Sequence, residues 1–373
     1  MNIVFLTCYY DHHQSELSDA LYTLTQHNFR LVETDELEEE RLRMGWSKEN
    51  SPPYVMQYAS QKSEVEKLII DADVVIWGSS PVHLIKRRLK AGKLTFRYSE
   101  RIFKKSASGP QFWGRAIKYN IECRPNKNLH LLSAGAYAAS DYMRIKAIND
   151  AYVWGYFPPF QKIDAQHKSI NQEIKLLWAG RMISWKHPEF ALEIAELLKK
   201  QGHKFELNII GNGVLESQIH SYIQNKKLQD CVHVLGSMPP EKVREYMTGS
   251  DVFLFTSDRN EGWGAVLNEA MNSKCAVVAC DAIGAVPYML KTGENGLLYK
   301  ENSFNDFASQ VEFLFNYPNK IIELGEAAYI TVSEKWNANV AAERLLTLID
   351  CIDQGEAVPF KDGPCSKAPI LYC

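Results

Sequence analysis

Two carboxylates, Glu261 and Glu269, bracket a glycine-containing turn in the segment Ser257-Asp258-Arg259-Asn260-Glu261-Gly262-Trp263-Gly264-Ala265-Val266-Leu267-Asn268-Glu269-Ala270-Met271. A carboxylate accepts two hydroxyls at once, so each acid can hold a polyol. The segment follows an apolar run and opens a helical pattern. Gly262 and Gly264 let a ligand approach the backbone, and Gly264-Ala265 at a helix start offer unpaired N–H groups with a partial positive charge. That combination can seat a diphosphate, with Glu261 on a sugar at one end and Glu269 on a ribose at the other. If the helix ran through, its rise of about 1.5 Å per residue would set the two Cα atoms on the order of 12 Å apart. The bland alternative is a glycine loop before an amphipathic helix, with both acids in solvent.

A second group of candidates lies upstream. Gly180-Arg181 and Lys186 leave an apolar run ending at Ala179. Arg supplies a bidentate fork and Lys a point charge, so both cations can converge on one pair of phosphates. Gly211-Asn212-Gly213 ends the next apolar run. It is no full dinucleotide fingerprint, because Glu216 stands where a third glycine belongs.

Alternation of short apolar runs with helical stretches must position these loops, and it points to parallel α/β sheets. In the second half, strands are expected at Ile174–Ala179, Phe205–Ile210, Val232–Leu235, Val252–Phe255, Ala276–Ala279 and Leu297–Tyr299. Helices are expected from Pro188, over Leu215–Asn225 and over Pro240–Thr248. In the first half, strands are read near Ile3–Leu6, Phe29–Glu33, Val74–Trp77, Leu94–Tyr98 and Leu129–Leu132, with helices at Glu16–Thr25 and Glu64–Ile70. Asp35 to Pro53 is charge-dense and reads as a surface excursion. The prolines of Tyr156-Phe157-Pro158-Pro159 break regular structure and start a linker running to about Glu173.

Together these residues resemble family 4 glycosyltransferases. Glu261–Glu269 is similar to that family's E-x7-E motif, with Trp263 in place of the usual Phe. Gly180-Arg181 with Lys186 resembles its donor clamp, and Gly211-Asn212-Gly213 its Gly-x-Gly turn. Val234-Leu235-Gly236, Asp251-Val252-Phe253 and Glu294-Asn295-Gly296-Leu297-Leu298 follow its order. The resemblance implies an α/β chain of GT-B fold, with two Rossmann-like doubly wound domains facing a cleft. The expected domains are 1–158, joined by a returning helix over 336–350, and 174–332, with an irregular tail at 351–373. It further implies retaining, metal-independent transfer of a hexose-type sugar. Glu261, Arg181 and Lys186 would be catalytic. Gly180, Gly211, Asn212, Gly213, Leu235, Gly262, Trp263, Gly264, Ala265 and Glu269 would hold the nucleotide sugar. No cofactor is expected beyond a nucleotide-diphosphate co-substrate, a UDP-sugar in the first place. The sequence offers no Asp-x-Asp that would hold a diphosphate through a divalent ion.

The other half departs from the family. Its first loop reads Tyr9-Tyr10-Asp11-His12-His13-Gln14 instead of carrying a glycine pair, and the histidine expected after the fourth strand is displaced to His83. His13 and His83 are the candidate contacts to acceptor or sugar. From Lys86 to Lys105, nine Lys or Arg residues oppose one acid, Glu100, with apolar residues between. That stretch is either a solvated face or a surface for anionic lipid. The expected acceptor is a glycan or lipid-linked sugar, as in bacterial polysaccharide assembly. The alternatives are a GT-B epimerase and a catalytically silent nucleotide-binding partner.

Composition sets the remaining bounds. The chain has 373 residues, 46% apolar and 23% charged, which suits two soluble domains. A net charge of -3 gives no general reason to expect nucleic acid. The eight cysteines are scattered without metal spacing and are expected reduced, and no apolar run is long enough to span a bilayer. A cytoplasmic protein, peripheral to the membrane if the basic stretch meets lipid, is the expectation.

Overall fold

In a computed structural model, residues 1–35, 51–104, 109–123, 126–163 and 173–371 are described. The chain divides into two units, Met1–Pro159 with Lys335–Cys373, and Phe160–Glu334. Most of the charge-dense segment from Asp35 to Pro53, half of the expected linker, and Lys105 lie outside the described residues.

The first unit is built on seven parallel strands: β1 (Ile3–Thr7), β2 (Phe29–Glu33), β3 (Val55–Gln57), β4 (Val74–Trp77), β5 (Thr95–Ser99), β6 (Leu129–Ala134) and β7 (Ala151–Trp154), in the order β3-β2-β1-β4-β5-β6-β7. β1, β4 and β6 are buried at every position, as befits strands covered on both faces by helices. The connecting helices are α1 (His12–Leu24), α2 (Lys62–Asp71), α3 (Val82–Lys90), α4 (Gly109–Glu122) and α5 (Ala138–Arg144). Asp11 caps α1 by accepting the His13 amide at 2.9 Å.

Five elements here have no counterpart in the sequence expectations: β3, β7, α3, α4 and α5. The basic stretch is also not one surface. Arg88 of α3 is fully buried and donates to four backbone carbonyls, those of Ile69, Ala72, Asp73 and Leu94, and to the Thr95 hydroxyl. Burial pulls its guanidinium down to about 10. Lys93 is spent on the Ile70 carbonyl, Arg97 on the carbonyls of Trp77 and Gly78, and Lys104 pairs with Glu100. Phe96, Ile102 and Phe103 are core residues. Among the described residues of the stretch, only Lys86, Arg87 and Lys90 are classed as exposed cations.

The second unit carries six parallel strands, β8 (Ile174–Ala179), β9 (Phe205–Ile210), β10 (Val232–Gly236), β11 (Val252–Phe255), β12 (Ala276–Cys280) and β13 (Leu297–Tyr299), in the order β10-β9-β8-β11-β12-β13. Its helices are α6 (Pro188–Lys200), α7 (Glu216–Asn225), α8 (Pro240–Thr248), α9 (Val266–Asn272), α10 (Val286–Met289), α11 (Phe304–Asn316) and α12 (Asn319–Glu334). Pro188 opens α6, where a missing N–H costs nothing. Ala191, Leu192, Ile194, Ala195 and Leu198 form its buried face. Phe190 and Leu197, although apolar, are only partly covered.

Helix α13 (Ala338–Gln354) follows, capped by Asn337 and ended by Gly355 at φ 71°, and it packs on α1. The tail beyond it adds to the sheet edge. Val153 donates to Ser366, and Cys365 and Ala368 donate to Val153 and Ala151, a short antiparallel pairing along β7. Seven cysteines among the described residues are unpaired thiols. No described helix is long and apolar enough to cross a membrane.

Candidate functional site

Both sheets run 3-2-1-4 about their first strand, so each has a topological switch point, between β1 and β4 and between β8 and β11. Ligands of open parallel sheets bind beyond the carboxyl ends of the strands at such points. In the second unit the loop after β8 carries Gly180, Arg181 and Lys186, and the loop after β11 carries Glu261 to Ala265. The two loops flank one switch point.

Lys186 and Glu261 meet there. The ammonium lies 2.6 Å from Glu261 Oε2, with side-chain exposures of 14% and 13%. Ser257 donates to the same oxygen at 3.0 Å. A short 3₁₀ turn, Ser184–Lys186, presents the lysine, and two contacts hold that turn in place. Thr256 donates to the Lys186 carbonyl at 2.6 Å while accepting the Trp178 indole N–H at 2.8 Å, and the Asp258 amide donates to the Trp185 carbonyl. The ring of Trp185 lies 5.0 Å from the ammonium. The next residue, His187, has a left-handed backbone (φ 46°); its ring sits between Glu189, at 2.6 Å, and Asp258, at 3.6 Å. The hydrogen bond to Glu189 raises the imidazole above its ordinary value, against the effect of burial.

Gly211-Asn212-Gly213 serves this loop from behind. The Met182 amide donates to Asn212 O at 2.7 Å, and Leu215 N donates to Met182 O. A Cβ on Gly211, at φ 132°, would lie 1.9 Å from Gly180 O. The turn is therefore a packing device that fixes the course of Gly180-Arg181-Met182. Arg181 is exposed, and no ion pair of its own occurs among the described residues. It is not brought onto Lys186 or Glu261 by any hydrogen bond. Leu235 is partly covered near the end of β10, whose Gly236 carbonyl accepts the Gly211 amide.

The segment from Glu261 to Glu269 differs from a continuous helix. Gly264 sits at φ 88° with Phe255 and the Glu261 stem against it, and α9 begins only at Val266. The helical spacing estimated for the two acids does not apply, because half of the interval is turn. Trp263 is fully buried and donates its indole N–H to Asn268 at 2.9 Å. Its ring is thus a core element, not a surface for a ligand. Gly262 is buried and Ala265 partly so. Glu269 stands on α9, and burial pushes its carboxyl up to about 7, opposed by the nearby Arg244.

In the first unit, His13 opens α1 after β1, 3.9 Å from Asp11 Oδ1, and stacks at 6.2 Å on Tyr156. His83 is exposed in the first turn of α3, after β4. Both therefore leave the carboxyl ends of the strands that flank the first switch point. Asp71-Ala72-Asp73 precedes β4 at its amino end, where Asp73 accepts the Asn2 amide. Ser257 and Asp258 were legible as part of the motif segment; Trp178, Thr256 and His187 had no signal beyond adjacency.

Two open parallel sheets with switch points, the second bearing an acid, a lysine and an arginine on its strand-end loops, define a chain of the GT-B class. Residues 159–331 match the model of the family glycosyl transferases group 1, in keeping with the family 4 resemblance. Among relatives, the amylovoran biosynthesis glycosyltransferase AmsK of Erwinia amylovora is 28% identical over 187 residues, covering 49% of this chain and 46% of that one. The poly(ribitol-phosphate) alpha-N-acetylglucosaminyltransferase of Staphylococcus aureus is 26% identical over 219 residues, covering 58% and 44%. The chain thus spans less than half the length of either relative. Anabaena HepE, solved with UDP, superposes with a TM-score of 0.67 at 15% identity over 95% of this chain and 100% of that one. The pneumococcal O-GlcNAc transferase GtfA, solved with UDP and GlcNAc, gives 0.69 at 10% identity over 94% and 98%. These solved structures share the fold.

Proposed function

We propose that this protein is a retaining glycosyltransferase that moves a hexose-type sugar from a UDP-sugar to a glycan or lipid-linked acceptor in polysaccharide assembly. The observation that carries the reading is the Lys186–Glu261 contact, 2.6 Å, at a strand switch point. The names of the two relatives above, both glycosyltransferases, support the same class.

The chemistry requires charge to be stabilised on a departing diphosphate. In the proposed cycle the Lys186 ammonium turns from Glu261 to the phosphates, and the exposed Arg181 adds a fork to them. Fixed cations of this kind commonly supply much of the rate enhancement. Glu261, released and still held by Ser257, accepts the sugar hydroxyls and favours the cationic anomeric centre. Glu269 accepts the ribose diol. The two side-chain cations provide the positive charge a divalent ion can otherwise bring, which is the support for metal-independent transfer; retention follows from the family resemblance. His13 and His83 are assigned to the acceptor side, and cytoplasmic placement follows from the nucleotide-sugar supply.

A panel of nucleotide sugars tests this by thermal stabilisation, since a ligand at 100 times its dissociation constant adds about 2.7 kcal/mol. The UDP-sugars should shift the melting temperature, and a glycan acceptor should then yield product with the donor's anomeric configuration, in chelator as in buffer. Interconversion of the donor sugar without acceptor would identify an epimerase instead. Absence of any shift across the panel would remove the donor site.

A further inference from the structure

Helix α4 (Gly109–Glu122) presents a ridge of apolar side chains that no described residue of its unit covers. Trp113, Ile117 and Ile121 lie four residues apart, on one side of the helix, and are 65%, 59% and 65% exposed. The opposite side is anchored: Phe112 and Ala116 are buried, Phe112 against Phe103 at 4.7 Å and under Arg144. The exposure is therefore a property of a docked helix, not of a frayed one. Soluble surfaces carry single exposed apolar residues freely, but a contiguous ridge that includes Trp marks a contact site.

Charge identifies the occupant. Lys118, beside Ile117 and Ile121 on the ridge, is 64% exposed and lies 3.9 Å from Glu122 Oε1, a loose pair that leaves most of the ammonium open. The right-handed crossovers from β4 to β5 and from β5 to β6 put α3 and α4 on the same face of the sheet. The connections that follow them are tied together, with the Asn126 and Asn128 side chains, ahead of β6, donating to the carbonyls of Lys93 and Gly92, ahead of β5. The exposed Lys86, Arg87 and Lys90 of α3 thus lie on the same face of the sheet as the ridge, and none has an ion pair among the described residues. The only acid of α4, Glu122, is 18% exposed. Three side chains offer at most a few hundred Å², well below the roughly 800 Å² per partner of a stable protein pair.

We propose that this face rests on a lipid bilayer with anionic headgroups, Trp113, Ile117 and Ile121 entering the interface and the α3 and α4 cations meeting the phosphates. Amphipathic helices with Trp on one side and Lys or Arg at the flank bind membranes in this way. The proposal replaces the continuous basic stretch from Lys86 to Lys105 with two helix faces. It does not rest on the transferase reading.

Flotation of the full chain with phosphatidylcholine vesicles, with and without phosphatidylglycerol, tests it. The protein should float with the anionic vesicles at low salt and far less with the neutral ones. The Trp113→Gln/Ile117→Gln variant should lose flotation while keeping its melting temperature and its stabilisation by nucleotide sugar. The Lys86→Glu/Lys90→Glu variant should bind the anionic vesicles roughly tenfold or more weakly. The proposal is overturned if the protein stays with the vesicle-free fraction at low salt, or if either variant floats as the parent does. It is equally overturned if sedimentation shows a dimer that the Trp113 and Ile117 changes dissociate, which would give the ridge to a second copy. Nucleotide stabilisation reports on the donor site separately.

Discussion

Replacing Lys186 by Ala removes a cation that is 2.6 Å from Glu261 and only 14% exposed. Two costs follow, and they separate. Breaking a buried ion pair costs about 3–5 kcal/mol and an exposed one at most about 1 kcal/mol. The partial exposure of this pair, with Ser257 still donating to Glu261, sets the expected loss of stability near 2 kcal/mol. For a unit the size of Phe160–Glu334 that is a fall of about 4–8 °C in melting temperature. Turnover should fall further, by about 10²–10³, because a fixed donor to the leaving group is gone. The diagnostic variant is Lys186→Ala/Glu261→Gln. Neutralising the stranded acid should return most of the lost stability, so the two changes are strongly non-additive by calorimetry. Steady-state kinetics on the same variant should show no recovery of kcat. If Lys186→Ala turns over within about threefold of the parent, the lysine does not serve the departing diphosphate. If the double change is simply additive in stability, the contact does not hold the resting site together.

Three further outcomes are expected. Gly211→Ala places a methyl 1.9 Å from Gly180 O at φ 132°, so chemical denaturation should show a loss of about 3 kcal/mol or more, with a raised donor KM as the Arg181 loop shifts. The Glu269 carboxyl, pushed to about 7, is protonated below that pH and, in the proposed ribose role, cannot then accept both hydroxyls; donor KM should therefore rise by up to about tenfold per pH unit below about 7, and Glu269→Gln should flatten the profile. Arg88→Leu strands the carbonyls of Ile69, Ala72, Asp73 and Leu94, and melting should reveal a loss of about 3 kcal/mol or more that Arg88→Lys does not repair.

The six strands of the second unit were legible almost to the residue, because each is dominated by apolar residues and bounded by Gly or polar loops, with only Lys175, Glu206, Asn208 and His233 interrupting them. β3 escaped: three residues, Val55-Met56-Gln57, carry too little periodicity to register. α3 escaped for another reason. Four of its nine residues are Lys or Arg, and composition cannot show that Arg88 points inward to tie carbonyls together. α4 was hidden because Trp113, Ile117 and Ile121 break the rule that a helix turns its apolar side to the core. In the candidate site the motif residues were readable by type and order. Their contacts were not, since the spacing argument assumed a helix where Gly264 makes a turn, and Trp263, counted among the nucleotide-sugar residues, has its ring in the core.

The pairing of Cys365 to Ala368 along β7, together with α13 on α1, has a consequence for how the chain is made. The second unit is one continuous stretch and can fold while translation proceeds. The first unit, interrupted by it, keeps a bare strand edge at Ala151–Trp154 until residues more than 200 positions downstream arrive, as the bond from Ser140 to Leu371 illustrates. An open edge is a template for wrong partners. During synthesis the later unit thus matures first, and the earlier one remains the vulnerable half until the last segment closes it.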